Sequence, residues 1–299
     1  MNIGGNMLIE RLSHNNLNEF NELLNESKDT SLFKFDFYDY YLKKSFIVKY
    51  FIRKNVKLIA VDGKYVGYIW FDFKTLKTLT INDLYIRKQY VEYLNSYILS
   101  AFDCDYVIFE TYETSDMIQV LSCLNMKRIR NSNLMKYQEL NNSISEEKQK
   151  YINNSFISFV PYIKNEHSKI RCYVQNEIFK NENRNPLSVD DIYYDERQDY
   201  FLDNMSLFMK LKDKYIGYGQ IIFMRGIYMI VNFGIIKNFR SKGYGNILLN
   251  KLISYFSSKV KDDIYIRVDS NNVIAKKLYE KSGFVNVGTI STWLYTNNK

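Results

Sequence analysis

A chain of 299 residues is longer than one ordinary core serves, and a prior of about 150 residues per domain favours two domains. Its 46% apolar and 25% charged residues are those of a water-facing globular protein, and no uninterrupted apolar run nears the ~20 residues of a membrane helix. The net charge of +8 lies wholly in the second half, where residues 150–299 carry 22 Lys and Arg against 14 Asp and Glu, while residues 1–149 balance at 19 and 19. With no Lys/Arg block interleaved with aromatics, a small basic excess suits a soluble polyphosphate ligand or a solvated surface, and nucleic acid is not a favoured partner. Cys104, Cys123 and Cys172 are odd in number and form no CxxC pair, so neither a disulfide frame nor a zinc site is expected. His14 and His167 are the only histidines, too few for a histidine-rich metal site, and no metal is expected. Glu10 and Arg11 follow Met7 too closely for a signal-peptide core, which favours a cytoplasmic location and no membrane partner.

Along the first half, strand-like runs begin at Val61 (VDGKYVGY) and Thr80 (TINDLYI), a helix-like run at Tyr93 (YLNSYILSAF), and a further strand-like run at Asp105. The polar run Asn141–Lys150 reads as a linker. The spacing then predicts a strand over Ser155–Val160 and a helix over Asn165–Phe179, with Ile170, Val174 and Ile178 on its apolar face. Pro186, then Ser188 with Asp191 three residues on, marks the capped start of a short second helix. Strands are predicted over Ser206–Leu211, Tyr215–Met224 and Ile227–Ile236, with turns at Asp213 and Arg225-Gly226. Next comes Arg240-Ser241-Lys242-Gly243-Tyr244-Gly245, and after it a helix with Ile247, Leu248, Leu252, Ile253 and Phe256 facing inward. A strand over Asp263–Val268, a helix over Asn272–Lys281 and a final strand pair, Phe284–Val287 with Thr292–Tyr295, complete a mixed α/β class.

The two halves align with each other. VDGKYVGY from Val61 matches LKDKYIGY from Leu211 at an offset of 150, and TINDLYI falls opposite IVNFGII. The run from Tyr93 matches that from Ile247 at an offset of 154, Asp105–Phe109 matches Asp263–Arg267 at 158, and LSCLNM from Leu121 matches YEKSGF from Tyr279. Asn125 there stands opposite Gly283, a natural exchange where a helix ends in the left-handed conformation. The first half thus lacks four residues at the place of the glycine turn. That turn reads as a pyrophosphate cradle, because glycines let backbone approach a bulky anion and the N–H groups opening a helix point at it. By itself, such a glycine pair is more often just a tight turn.

The turn and the string Asn272–Phe284 together resemble the GNAT superfamily of acyl-CoA N-acyltransferases. Arg240, Gly243 and Gly245 satisfy the family's R/Q-x-x-G-x-G/A pattern, and Asn272, Ala275, Leu278, Tyr279, Gly283 and Phe284 its N-x-x-A-x-x-L-Y-x-x-x-G-F pattern. The resemblance covers most of 152–299 and reaches 7–140 only through the internal repeat. It implies two tandem GNAT-like domains, each a mixed, mostly antiparallel twisted sheet flanked by helices, as in the mycothiol-synthase-like branch: a degenerate domain over 1–140, a linker over 141–151 and an acetyltransferase domain over 152–299. It further implies acetyl-CoA as acyl donor and a small amine as acceptor. Phe233, Gly234, Ile235 and Ile236 would form the strand that pairs with the pantetheine arm. Arg240, Ser241, Lys242, Gly243, Tyr244, Gly245 and Asn246 would hold the pyrophosphate, with a surface salt bridge as the alternative for Arg240. Asn272 would touch the pantetheine or simply cap its helix, and Tyr279 would be the general acid or a packing tyrosine.

No Asp, Glu or His lies in Ile227–Ile236, where many family members keep a base, so direct attack by the amine is the expected mechanism. Asp190, Asp191, Asp195, Glu196, Asp199 and Asp203 concentrate acid around the second helix, which would attract a cationic acceptor. Glu196 and Glu177 are the candidate bases. Two other readings stand beside the enzyme: an acyl-CoA-binding sensor without turnover, and a Fem-type aminoacyl transferase using tRNA.

Overall fold

A computed structural model describes residues 7–28, 32–34, 36–139, 156–182 and 184–297, and the expected linker lies outside them. The chain forms two compact units, one made of residues up to 132 together with 288 onward, the other of 133–287.

The first unit runs β1 (Met7–Arg11), α1 (Leu17–Ser27), α2 (Phe37–Leu42), α3 (Phe46–Lys54), β2 (Val56–Val61), β3 (Lys64–Thr75), β4 (Thr78–Ile86), α4 (Tyr97–Ser100), β5 (Tyr106–Tyr112) and α5 (Ser115–Cys123), then the start of β6 (Lys127–Tyr137). Strands β1 to β4 pair antiparallel with their neighbours, β5 is parallel to β4, and the later part of the chain's last strand, β12 (Phe284–Thr296), pairs antiparallel with β5 from Ile290 to Thr296. The run from Tyr93, read as helix-like, holds only the single turn α4 after a 3-10 stretch. Asn95 accepts from the Tyr97 N–H at 2.9 Å, and this Asx-type bond fixes a turn where a continuous helix would need an uninterrupted start.

The second unit holds the end of β6, then β7 (Ile157–Pro161), α6 (Ser168–Ile178), α7 (Val189–Asp195), β8 (Phe201–Leu211), β9 (Lys214–Met224), β10 (Ile227–Ile235), α8 (Tyr244–Ser257), β11 (Ile264–Asp269), α9 (Val273–Lys281) and the start of β12. Its strand order is β6-β11-β10-β9-β8-β7, with β10 and β11 parallel and β7 to β10 antiparallel. The capped start of α7 is as expected: the Ser188 hydroxyl accepts from the Asp191 N–H, and the Asp191 carboxylate accepts from the Ser188 N–H at 2.7 Å. Helix α8 buries Leu249, Leu252, Ile253 and Phe256 against Ile221, Ile230, Ile264 and Ile266, and Leu248 against Met209, Ile216 and Ile235. The expected final pair of strands, Phe284–Val287 and Thr292–Tyr295, is instead one unbroken strand, β12. Residues 288–291 (GTIS) offer no turn pair, and Ile290 and Ser291 are wholly buried as strand positions of the first unit.

The units share registers at constant offsets. A bulge between Ile59 and Ala60 opposite Gly67 and Tyr65 recurs between Met209 and Lys210 opposite Gly217 and Tyr215, 150 residues on. Asn82 is the extra residue on β4, and Asn232, at φ +51°, lies in the corresponding bulge on β10. Thr78 faces Tyr106 across the parallel pair of the first unit, and Tyr228 faces Ile264 in the second, reproducing the offsets of 150 and 158. Asn125 and Gly283 both adopt positive φ after their helices, as their exchange in the sequence suggests.

Candidate active site

Strand β10 is paired with β11 only over Tyr228–Ile230, although β10 runs to Ile235 and β11 to Asp269. The bulge at Asn232 turns the strand just where that pairing stops, so the two parallel strands part along Val231–Ile235. A splayed pair of this kind leaves strand-edge N–H and C=O groups facing a cleft, which an extended ligand arm can meet by strand addition. Phe233, Gly234 and Ile235 lie on the parted segment. Ile236 closes it, its N–H donating to the Ile216 carbonyl at 2.8 Å.

Beyond the strand, Ser241 (φ +61°) and Gly243 (φ +81°) turn the chain into α8, with Gly243 as the N-terminal cap position and no side chain capping the helix. The first-turn N–H groups of Tyr244, Gly245 and Asn246 therefore lack intrahelical partners and point at the loop, where the helix dipole adds positive potential. Ser241, Lys242 and Gly243 are exposed, and a Cβ at Gly243 would meet nothing within 4 Å. Residues 233–261 contain Lys237, Arg240, Lys242, Lys251, Lys259 and Lys261 and no acid. Open backbone donors in an acid-free surround fit a pyrophosphate. Among the described residues Arg240 makes no salt bridge: its Nε donates to the Ile235 carbonyl at 2.8 Å and its Nη2 to the Ile178 carbonyl, so it ties the loop to the end of β10 and of α6. The Asn246 amide oxygen accepts from Ser282 at 3.1 Å, linking the start of α8 to the end of α9.

Asn272 caps α9, accepting from the Ala275 N–H at 3.1 Å, which accounts for that residue without a ligand. Tyr279, on the same helix, packs edge-on against Phe233, with ring centroids 6.1 Å apart. The structure thus brings Tyr279 to the parted strand. Burial alone raises its hydroxyl to about 12, so it carries its proton throughout the neutral range.

On the α6 side of the sheet lies a buried polar cluster that the sequence did not disclose. Arg171, 1% exposed, donates through Nη2 to the Asp195 carboxylate and to Gln220 Oε1 at 3.0 Å, and Gln220 Oε1 also accepts from Asn232 Nδ2 at 3.0 Å. A chain of hydrogen bonds therefore runs from Asp195 to the β10 bulge. The guanidinium lies 5.5 to 5.6 Å from the rings of Tyr162, Phe201 and Tyr218. Glu196, also buried, accepts through Oε1 from Ser168 at 2.8 Å and from the Tyr162 hydroxyl. Burial first, then that bond to Glu196, pushes Tyr162 well above the usual phenol range. Tyr200 donates to Asp195 at 2.5 Å, and Tyr218 is raised to about 12, chiefly by burial. Among the buried atoms of this cluster and its rim that lack a hydrogen-bond partner among the described residues are Arg171 Nε and Nη1, Gln175 Nε2, Gln220 Nε2 and Glu196 Oε2. Buried polar atoms are rarely left so, and a group of them in one place marks a site that a ligand or water completes.

Of the candidate bases, Glu196 belongs to this cluster and Glu177 does not. Glu177 is half-buried beside Lys180, 3.9 Å away at the next turn of α6. Asp190, Asp199 and Asp203 are exposed. Arg171 escaped the sequence reading because the helical pattern was drawn through Ile170, Val174 and Ile178, and an arginine beside such a stripe ordinarily faces water. In the structure Ile170 is only half-buried, and the inward face is Ser168, Arg171, Cys172, Val174, Gln175 and Ile178.

Residues 174–284 match the acetyltransferase (GNAT) family. No curated protein sequence matches the chain. Among solved structures it is similar to a GCN5-related N-acetyltransferase from Sphaerobacter thermophilus, with 12% identity, a TM-score of 0.62, and 98% of this chain and 96% of that one covered. It is also similar to a tandem GNAT protein from the clavulanic acid biosynthesis pathway, with 8% identity, a TM-score of 0.62, and 98% and 99% covered. A GNAT-family acetyltransferase from Colwellia psychrerythraea gives 14% identity, a TM-score of 0.59, and 97% and 100% covered. The family match covers residues 174–284, and along nearly its whole length the chain shares the fold of these GNAT proteins.

Proposed function

We propose that this protein is an N-acetyltransferase that moves an acetyl group from acetyl-CoA to the amine of a small cationic acceptor, with the chemistry in the second unit and the first unit a degenerate tandem copy. The observation that carries the reading is the early end of β10–β11 pairing at Ile230, followed directly by the exposed glycine turn and the uncapped start of α8. In this reading the N–H groups of residues 242–246 bind the pyrophosphate, and the free edge of Phe233–Ile235 pairs with the pantetheine arm and sets the thioester in the cleft. Arg240 keeps the loop in place through two carbonyls.

The acceptor approaches from the side of α6 and α7. Arg171 brings one positive charge to the carboxyls of Asp195 and Glu196, so the cluster favours a cation. The amine nitrogen attacks the thioester carbonyl carbon, the C–S bond breaks, and the thiolate sulfur takes its proton from Tyr279 or a hydrogen bond from it. The proton lost by the amine goes to the unpartnered Oε2 of Glu196, directly or through water. A strand N–H beyond Ile230 stabilises the oxyanion. The amide and free coenzyme A are the products.

The test is release of free thiol from acetyl-CoA in the presence of a panel of mono- and polyamines, amino acids and aminosugars. Turnover with a cationic amine supports the reading. Tight acetyl-CoA binding with no turnover on any amine would favour a sensor, and failure to bind acetyl-CoA would remove the reading altogether.

A further inference from the structure

Helix α3 in the first unit is amphipathic in the wrong sense for a core helix. Phe46 is 82% exposed, Ile47 70% and Phe51 56%, with Tyr50 and the preceding Leu42 also open, while Ile52 alone of the helix is buried. At 100° per residue, Phe46, Tyr50, Ile47 and Phe51 cover one continuous arc on the side opposite Ile52. That single anchor joins the cluster of Phe20, Leu23, Phe37 and Trp70, and nothing else in α3 is needed to close it. The second unit has no counterpart, since only residues 196–200 separate α7 from β8.

The charge around this face is one-signed. Between Tyr40 and Val61 there are six Lys and Arg, at positions 43, 44, 49, 53, 54 and 57, and no Asp or Glu. Lys54 lies along the apolar arc, with its ammonium 4.3 Å from the Tyr50 ring centre and 5.9 Å from that of Phe51. Exposed Phe, Ile and Tyr rimmed by lysines match a helix lying in the headgroup layer of an anionic bilayer. A second copy of the chain fits poorly, because a two-fold contact through this face would set the same cations against each other.

We propose that α3 docks the protein on an anionic membrane surface, with Phe46, Ile47, Tyr50 and Phe51 entering the interface and the surrounding lysines meeting lipid phosphates. The expectation of no membrane partner rested on the lack of a spanning segment. No described helix is long and apolar enough to cross a membrane, but a surface helix does not need to cross one.

The experiment is co-sedimentation of the full chain with vesicles of phosphatidylcholine alone and of phosphatidylcholine with one quarter phosphatidylglycerol. Binding should be at least tenfold stronger to the anionic vesicles, fall at least tenfold in 0.5 M salt, and be lost in F46E/F51E and weakened in K43E/K44E. Both variants change exposed or rim positions, so their circular dichroism and coenzyme A affinity should equal those of the parent chain. Equal affinity for both vesicles, no sedimentation with either, or binding by F46E/F51E as strong as the parent's would overturn the proposal. So would a concentration-dependent dimer that F46E/F51E dissolves in the absence of any vesicle binding.

Discussion

Replacing Gly243 by leucine separates a ligand role of the turn from a structural one. In the free protein the new side chain meets open space, and the only cost is holding a non-glycine residue at φ +81°, about 1–2 kcal/mol. For a unit of this size that lowers Tm by about 2–8 °C. Bound coenzyme A experiences something different. The isobutyl group would stand over the first-turn N–H groups of α8, and losing two charge-assisted hydrogen bonds at about 1.5–3 kcal/mol each weakens binding by more than about a hundredfold. Gly234→Ala is the comparison. Its Cβ would fall 2.4 Å from Ile178 Cγ2, so α6 or β10 must shift, at a cost of about 1–3 kcal/mol before any ligand is added. Thermal shift without ligand and calorimetric titration with coenzyme A read the two effects apart. G243L should stay folded and lose affinity, and G234A should lose stability and affinity together. If G243L binds coenzyme A within threefold of the parent protein, the turn is not the pyrophosphate site.

Tyr279→Phe should lower kcat by about 100-fold or more while leaving coenzyme A affinity within a factor of two, measured by thiol release and calorimetry. Glu196→Gln keeps an oxygen for Tyr162 and Ser168 but cannot take a proton, so kcat should fall at least tenfold with Tm little changed; an unaltered rate would remove Glu196 as the base. In the first unit, Lys34→Met leaves Asp83 buried without its 3.2 Å counter-charge and should cost about 3–5 kcal/mol in a denaturant titration, whereas K34M/D83L should recover most of it. Tyr218 and Tyr279 hold their protons to about 12 in the folded chain against 10.0 for a free side chain. Their contribution is thus fully present below pH 10 and lost as pH rises toward 12, so the denaturation midpoint should fall over that window and stay flat from 7 to 9.

The strands, the turns and the glycine loop could be read from the sequence because each depends on local chemistry. Arg225-Gly226 forms the turn it encodes, both residues at positive φ, and the Ser188–Asp191 reciprocal cap forms where the spacing placed it. The internal comparison reached further, since it aligned Asn82 with Asn232 without recognising either as a bulge. The buried polar cluster around Arg171 is not legible in the sequence. Arg171, Gln220 and Asn232 are far apart in sequence and each looks like surface by composition. Only the packing of α6 over β9 and the bulge on β10 gives them a common hydrogen-bonded chain. The last strand was misread for a related reason. Its continuation from Phe284 through Thr296 is decided by its partner β5, and nothing local in residues 288–291 announces that partner.

The first unit shows what this scaffold needs and what it does not. It keeps the bulge at Asn82, and its parallel β4–β5 pairing likewise stops at Ile81, so parting of the central strands belongs to the architecture and not to the chemistry. Its centre, however, is closed: Asp83 accepts from Tyr68, pairs with Lys34 and takes the Leu84 N–H at 3.0 Å, while Asn82 donates to Asp72 at 2.7 Å. At the positions 150 residues on, Phe233 replaces Asp83 and Gln220 replaces Trp70, and Tyr218, the counterpart of Tyr68, faces the Arg171 guanidinium instead of a carboxylate. The satisfied ion pair in one unit stands where the other has buried donors without partners. The same scaffold can fill this space with bonded side chains, so on the proposed function the open donors of the second unit are where an acceptor would bind. Phe233→Asp should put a carboxylate where the ring now packs on Tyr279 at the parted strand, and we expect it to abolish turnover while leaving the glycine loop able to bind coenzyme A. Loss of both, in a protein that still folds, would mean that the strand and the loop cannot be treated as separate halves of one site.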